Sequence, residues 1–342
     1  MLKRGHFFFI GLNITLVMAL AGCANDNPSP TSVPISTRAA GYPVSATVLP
    51  TGYPSSLMAT PQVAIPTPDV LAASPLLSGQ VVFHSGSEGA NNIFVLNLSS
   101  GEKHQLTTSG DNIEPVWSSD GTQIAYACKT EQFYALCLSN ADGTTQRQIV
   151  SGDFNVWGPS WSSDGTQIAF VSNLEPYAHL YILDVVSGTY RRLLSSPGNE
   201  GTPRWLANSE IIVYMSDRVG FNIYAVQSDG FDERQMTTFG QDDRPAWSLD
   251  GRLITFRRDV VSASTFSGAE IMLMDSDGQN VRQLTSNSAA DDWPSFSPNG
   301  EWIIYSTLRN AVPFLQVIPA KGGIPAPLFQ GGVIGNAPHW KP

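Results

Sequence analysis

The stretch PSWSSDGTQIAF at residues 159–170 decides the fold, because residues 115–126 repeat it as PVWSSDGTQIAY. Looser copies begin at Pro203, Pro245 and Pro294, and a partial copy begins at Pro338. The aromatic residues of the copies are 44, 44, 42, 49 and 44 residues apart; they are Trp117, Trp161, Trp205, Trp247, Phe296 and Trp340. A period of about 40 to 50 residues with four short strands per repeat is typical of β-propeller blades.

Glycine turns divide each repeat into four strands. Between the first two strands, the Asp164 side chain can cap its own turn and Gly165 can adopt a positive φ. A second glycine turn, between the third and fourth strands, occurs in six copies, at Gly101, Gly143, Gly188, Gly230, Gly278 and Gly323. The sequence therefore predicts an all-β chain that forms a six-bladed propeller of four-stranded blades over residues 78–342.

The two ends of this region complete each other. Residues 80–84 match the second strand of a repeat but have no P-x-W strand before them, whereas residues 337–340 are a first strand with nothing after it. We therefore expect the C-terminal strand to join the first blade, closing the ring and covering a sheet edge.

The repeat P-x-W-S-x-D-G-x-x-I-A-F/Y, followed by fourth strands such as RQLT at residues 282–285, resembles the repeat of TolB-like propellers. The resemblance covers about residues 78–342 and implies a propeller in the bacterial cell envelope. It does not assign an activity, because the same blades serve scaffolds and enzymes. Residues 206–209 and 326–329 depart from the repeat, and no counterpart of the TolB N-terminal domain precedes residue 78.

The N-terminal segment predicts a lipid anchor. Lys3 and Arg4 precede an apolar run, and LAGC at residues 20–23 matches a bacterial lipoprotein signal. We expect residues 1–22 to be removed and Cys23 to carry lipid; an ordinary secretory signal or an uncleaved anchor is the alternative. Residues 23–77, rich in Pro, Ser and Thr, predict a disordered tether. The expected location is extracytoplasmic, lipid-anchored to a membrane.

Charge limits the partners. The chain has a net charge of −10, and removal of Lys3 and Arg4 with the signal would leave 17 − 29 = −12. Such an acidic chain argues against binding to nucleic acid or to anionic lipid surfaces. Basic proteins or peptides are the expected partners of a chain that we predict to be monomeric.

The sequence contains none of the common catalytic or metal-binding motifs for which we searched. The chain contains no G-x-S-x-G, Walker A, H-E-x-x-H or C-x-x-C motif, and we predict no cofactor and no metal. His84 and His339 should share one blade, where a metal or acid–base pair is conceivable, but two structural histidines are the simpler interpretation. The stretch DSDG at residues 275–278 predicts a hairpin turn rather than a calcium loop.

Two cysteines are candidates for a disulfide. Cys128 and Cys137 lie on the second and third strands of one repeat, equidistant from the turn between them, and should face each other directly. The alternative is a pair of small buried thiols.

The longer loops should gather on one face, which we call the top face: the loops between blades and those between second and third strands. The tight glycine turns then lie on the bottom face. We expect a partner-binding surface on the top face, formed by acidic and aromatic residues before the P-x-W strands: Asp111, Glu114, Trp157, Glu200, Asp242, Asp243, Asp291, Asp292 and Trp293. The alternative is that these acids only keep the protein soluble.

These observations favour a non-enzymatic, lipid-anchored propeller that acts as a scaffold, binding a protein or peptide through its top face. The alternative is a propeller enzyme or carbohydrate-binding protein with a site at the central channel.

Overall fold

The computed structural model describes residues 77–87, 89–262, 265–329 and 332–342. The predicted signal peptide, the lipid attachment at Cys23 and nearly all of the predicted tether lie outside these residues. Within them, no helix has the length and apolar character needed to span a membrane.

The described residues form an all-β structure of 24 strands. The first twelve are β1 Gln80–Ser85, β2 Asn92–Asn97, β3 Lys103–Gln105, β4 Asn112–Trp117, β5 Gln123–Lys129, β6 Tyr134–Asn140, β7 Arg147–Val150, β8 Val156–Trp161, β9 Gln167–Ser172, β10 His179–Asp184, β11 Tyr190–Arg192 and β12 Glu200–Trp205. The others are β13 Ile211–Ser216, β14 Asn222–Gln227, β15 Arg234–Gln235, β16 Asp242–Trp247, β17 Leu253–Ser262, β18 Thr265–Asp275, β19 Arg282–Gln283, β20 Ala290–Phe296, β21 Trp302–Arg309, β22 Val312–Pro319, β23 Ala326–Pro327 and β24 Asn336–Trp340.

The strands form antiparallel propeller sheets. Four sheets have four strands each: β24-β1-β2-β3, β4-β5-β6-β7, β8-β9-β10-β11 and β12-β13-β14-β15. The remaining strands form one eight-stranded sheet, β16-β17-β18-β20-β21-β22-β23, in which β19 pairs with β18. Its two halves are joined by a single parallel pairing, Ala269 with Ala290. β24 pairs with β1, the strand arrangement that the sequence predicts for the first sheet.

The hydrophobic core lies between neighbouring sheets. One cluster, for example, packs Leu180 and Ile182 of β10 against Ile212 and Tyr214 of β13. Four further clusters join neighbouring sheets in the same way, and a fifth lies between the two halves of the eight-stranded sheet. The first strands also contact one another in a cyclic series, β4 with β8, β8 with β12, β12 with β16, β16 with β20, β20 with β24 and β24 with β4. The first strands therefore surround a common axis.

The turn between the first two strands of the repeat is stabilised by hydrogen bonds from its own side chains. Asp164 accepts hydrogen bonds from the Ser162 hydroxyl at 2.6 Å and from the Thr166 amide at 3.0 Å, while Gly165 has a φ of 71°. In the departing repeat at residues 206–209, Asn208 adopts a φ of 54°. Asparagine tolerates this left-handed region better than most residues, so the hairpin forms without the usual glycine.

Candidate binding site in the central channel

Every first strand contains a β-bulge at the residue before its proline. In β4, Glu114 and Pro115 stand opposite the single residue Tyr126, because the pairing shifts between Ile113 and Val116. The residue before proline has a φ between 45° and 61° in all six strands: Glu114, Gly158, Thr202, Arg244, Trp293 and Ala337. Five of these are not glycine, and such backbone costs about 1 to 2 kcal/mol each. Strained positions of this kind cluster at functional sites.

The repeat sequence explains the bulge. Proline has no amide hydrogen, so it occupies the bulged position without losing a ladder hydrogen bond. Opposite each bulge stands one aromatic residue of the second strand, and all six are buried at 2% exposure or less: Phe83, Tyr126, Phe170, Tyr214, Phe256 and Tyr305. In every repeat, the bulged residues of the first strand are thus opposite a buried aromatic side chain of the second strand.

Below the bulges, a cavity of about 330 Å³ lies on the axis. Each first strand contributes the middle residue of its P-x-W motif to the cavity wall: Val116, Ser160, Arg204, Ala246, Ser295 and His339. The repeat aromatics line the same cavity, which also reaches Ser119, Ser163 and Ser297 at the first hairpin turns. This end of the channel therefore faces the bottom turns.

Above the cavity, acids and arginines form what we call the upper cluster, namely Asp243, Arg244, Arg257, Asp259 and Asp292. Arg244 Nη1 lies 3.0 Å from Asp292 Oδ1 and 3.3 Å from Asp243 Oδ2. Arg257 Nη1 lies 3.1 Å from Asp243 Oδ1, and Arg257 also pairs with Asp259. The three aspartate side chains remain 20 to 27% exposed. The cluster is thus open to the top face.

The upper cluster has three carboxylates for two guanidinium groups. Burial raises the pKa of Asp292, and the neighbouring Arg244 and Arg257 only partly oppose this effect. Burial likewise raises the pKa of Asp259, opposed by Arg257. For Arg257, burial lowers the pKa, but the three carboxylates outweigh it and the net shift is upward. Arg257 therefore stays charged, and the cluster contains one more carboxylate group than guanidinium groups.

Comparison with known proteins identifies the family. The TolB beta propeller domain model matches residues 113–342, about two thirds of the chain. The chain belongs to the TolB beta propeller domain family. A solved structure of TolB from Acinetobacter baumannii superposes with a TM-score of 0.66 at 21% identity, covering 77% of this chain and 67% of that one. This likeness shows the propeller fold.

Two curated relatives match parts of the chain. An uncharacterised protein of Agrobacterium fabrum is 28% identical over 134 residues, which are 36% of this chain and 44% of the relative. The Tol-Pal system protein TolB of Geobacter sulfurreducens is 29% identical over 86 residues, 25% of this chain and 19% of the relative. The chain thus spans less than half the length of the curated relatives it matches.

The structure divides the acids predicted for the partner surface of this TolB-family propeller into two sets. Asp111, Glu200, Asp242 and Asp291 are at most 3% exposed. Each has partners within the chain: Asp111 accepts hydrogen bonds from Asn91 and Tyr134, for example, and Glu200 accepts one from the Leu180 amide. These four acids connect loops and strands inside the domain and do not lie at the surface where we expected them.

The other predicted residues lie closer to the channel. Asp243 and Asp292 belong to the upper cluster, and the Trp293 ring packs under Arg244, with its centroid 4.5 Å from the guanidinium carbon. Glu114 accepts a hydrogen bond from the Gly158 amide at 2.7 Å, and burial raises its pKa. Trp157 is half-buried against the core between β8–β11 and β12–β15.

The two histidines lie in one sheet, where His339 pairs with Val82, two residues before His84. Nδ1 of His84 accepts the Glu114 amide hydrogen at 3.3 Å, and Nδ1 of His339 accepts that of Trp117 at 3.3 Å. Burial lowers the pKa of His84 to about 4 and that of His339 to about 3. Both rings are therefore neutral near pH 7. Among the described residues, no group of three or more histidine, cysteine or acidic side chains could hold a metal ion.

We expect His84 to make the stability of the domain depend on pH. The folded pKa of about 4 lies below the usual histidine pKa of 6.5, so the unfolded chain binds a proton more readily. This stabilisation is present above pH 6.5 and is lost as the pH falls toward 4. Between pH 7 and pH 5 the parent should lose about 2 kcal/mol more unfolding free energy than His84→Asn, whose Oδ1 takes the position of Nδ1 as acceptor for the Glu114 amide hydrogen. Urea denaturation at both pH values measures this, and equal losses would contradict the assignment.

Cys128 and Cys137 form a disulfide, with Cα atoms 5.8 Å apart. The prediction that they face each other directly is wrong, because Cys128 pairs with Ala135 and Cys137 with Tyr126. The turn explains this pairing. A backbone hydrogen bond from the Thr130 amide to the Phe133 carbonyl closes it, so the centre of the hairpin lies one residue before the midpoint between Cys128 and Cys137. The cysteines are diagonal neighbours across the strands.

Sequence reasoning missed Arg204, Arg257 and Asp259. Arg204 occupies the variable position of P-x-W, and a comparison of that position across the six repeats would have shown one cation among small or uncharged residues. Arg257 and Asp259 lie on β17, a second strand that runs beyond the usual length toward the top face. No local motif marks them, because their partners come from other strands.

Proposed function

We propose that this protein is a non-enzymatic component of the bacterial cell envelope that binds a basic protein or peptide segment at the top end of its channel. The upper cluster carries this proposal. Its surplus carboxylate is partly desolvated, and a Lys or Arg side chain from a partner would supply the missing positive charge. The net charge of −10 would further favour encounter with a basic partner.

Exposed apolar side chains support a protein partner. On the top face, Tyr177 is 55% exposed, Phe239 60% and Val219 73%. Large apolar side chains around a charged centre are common in protein interfaces, where they supply contact area while the charges set orientation and specificity. A peptide backbone crossing the channel mouth could contact both.

The proposed architecture is a closed ring of six blades. The eight-stranded sheet counts as two blades, since only the pairing of Ala269 with Ala290 links its halves. The cyclic contacts between first strands and the pairing of β24 with β1 support the closed ring.

We further propose that the propeller is anchored through lipid on Cys23, with residues 23–77 as a tether. The LAGC sequence at residues 20–23 supports this. We expect Cys23→Ser to abolish incorporation of a palmitate analogue in living cells, while the parent is labelled. Equal labelling of the two proteins would reject the anchor.

Site-specific crosslinking tests the binding proposal. A photoreactive amino acid at position 177 should yield a crosslinked complex in cells, and the double variant Asp243→Asn, Asp292→Asn should reduce its yield at least about tenfold. The matched control is Asp142→Asn, Asp229→Asn, which neutralises two exposed acids at the bottom turns. Equal loss in the control, or full yield in the upper-cluster variant with an unchanged melting temperature, would place the binding site elsewhere.

A further inference from the structure

The cavity below the upper cluster has a different chemistry from the top face. Its wall contains the repeat aromatics, several serines and one charged side chain, that of Arg204. A concave space whose lining combines aromatic side chains with polar groups can bind a small molecule, and 330 Å³ is at the lower end of the volumes of such sites.

The Arg204 guanidinium has hydrogen-bond donors that are not used within the described residues. Its Nη1 donates to the Pro203 carbonyl at 2.8 Å, and within the described residues its guanidinium makes no other hydrogen bond and no salt bridge. A guanidinium group carries five N–H donors, so four are available. Burial lowers the pKa of Arg204 to about 10, opposed by the more distant charge of Glu114, so the group is cationic near pH 7. A half-buried cation without a paired anion is unfavourable until a ligand supplies one.

Two neighbours add further donors. Because Nδ1 of His339 accepts the Trp117 amide hydrogen, the proton of the neutral ring is on Nε2. The Ser160 oxygen accepts the Trp205 amide hydrogen at 2.9 Å, which leaves its own hydroxyl hydrogen free to donate. Arg204, His339 and Ser160 hold equivalent positions on three first strands and line the same cavity. Together they form a set of donors suited to an anionic oxygen pair.

The side chains of the cavity wall determine which chemical group attached to the anion can fit there. The aromatic side chains lining the cavity are Trp117, Trp161, Trp205, Trp247, Phe296 and Trp340. These rings provide surface against which an apolar or aromatic part of a ligand can pack.

We propose that this cavity binds a small organic carboxylate, whose oxygens pair with Arg204 and whose apolar body lies against the tryptophan rings. The site is at the bottom end of the channel and takes an anion, whereas the proposed partner site is at the top end and takes a cation. The inference is therefore independent of the proposed function.

Tryptophan fluorescence, checked by calorimetry, tests the proposal with phenylacetate, indole-3-acetate and hexanoate. We expect at least one to bind at least tenfold more tightly than its uncharged amide, as expected for one charge-assisted pair. Arg204→Gln should weaken that binding at least tenfold, and Arg204→Lys should restore part of it. The control Arg191→Gln removes an exposed arginine of β11 and should change nothing.

Three outcomes would overturn the proposal: no saturable binding of any of the three acids by the parent, equal binding of acid and amide, or unchanged binding by Arg204→Gln. Thermal melting of each variant shows whether a loss reflects unfolding, and retention by Arg204→Lys separates the charge from the fold.

Discussion

Deletion of residues 337–342 should abolish cooperative unfolding of the domain near the parent melting temperature, or lower that temperature by at least about 10 °C. The deletion removes β24, whose Trp340 is 4% exposed and packs with Val81 and Phe83. Loss of a buried tryptophan alone costs about 3 to 5 kcal/mol. The deletion also exposes the edge of β1, because the Lys341 amide no longer reaches the Gln80 carbonyl at 2.8 Å.

A one-residue deletion provides the control. Removing only Pro342, which is exposed, should leave the melting temperature within about 1 °C of the parent. Differential scanning calorimetry measures both variants. If the six-residue deletion melted like the one-residue deletion, the proposal that β24 closes the ring would be wrong.

The second large effect should come from Asp242→Ala, which we expect to cost about 3 to 5 kcal/mol of unfolding free energy. Asp242 is fully buried, and Arg258 binds it through Nε at 2.5 Å and Nη2 at 2.8 Å. Removing the carboxylate leaves the arginine unpaired. Removing both partners, as in Asp242→Ala, Arg258→Met, should cost less than the sum of the two single changes.

Urea denaturation of the four proteins in this double-mutant cycle gives the coupling energy. Additive effects would show that the pair contributes no coupling. The result also decides how charge variants of the top face are interpreted, because a lysine at position 242 or 291 would replace a buried acid. Loss of binding in such a variant would reflect unfolding rather than a lost partner contact.

The sequence was sufficient to predict the propeller because turn and core residues recur with one period. The P-x-W, S-x-D-G and I-A-F/Y segments each favour one local structure, a strand or a turn, so the strands and hairpins could be placed without tertiary information. The pairing of residues 80–84 with residues 337–340 followed from the same pattern. The two segments were recognisable as the second and first strands of one repeat.

The sequence was insufficient to separate buried acids from exposed ones. Asp242 and Asp243 are adjacent, yet one is fully buried against Arg258 and the other is half-buried in the upper cluster. The difference arises because successive side chains on a strand point to opposite sides, and the bulge at Arg244 then changes the alternation. The amino-acid composition of the loop does not indicate which of its acids is buried.

Titration of a lysine decapeptide into the purified propeller, followed by fluorescence anisotropy at about 50 mM salt, tests the binding proposal most directly. We predict saturable binding that weakens at least tenfold in Asp243→Asn, Asp292→Asn and weakens as salt increases. It should also weaken progressively as the pH falls, because burial raises the pKa of Asp259 and Asp292 and protonation removes their charge. The bottom-turn control Asp142→Asn, Asp229→Asn should bind like the parent. Equal affinity of the parent and the upper-cluster variant, with both proteins folded, would contradict the proposal that this cluster recognises a basic partner.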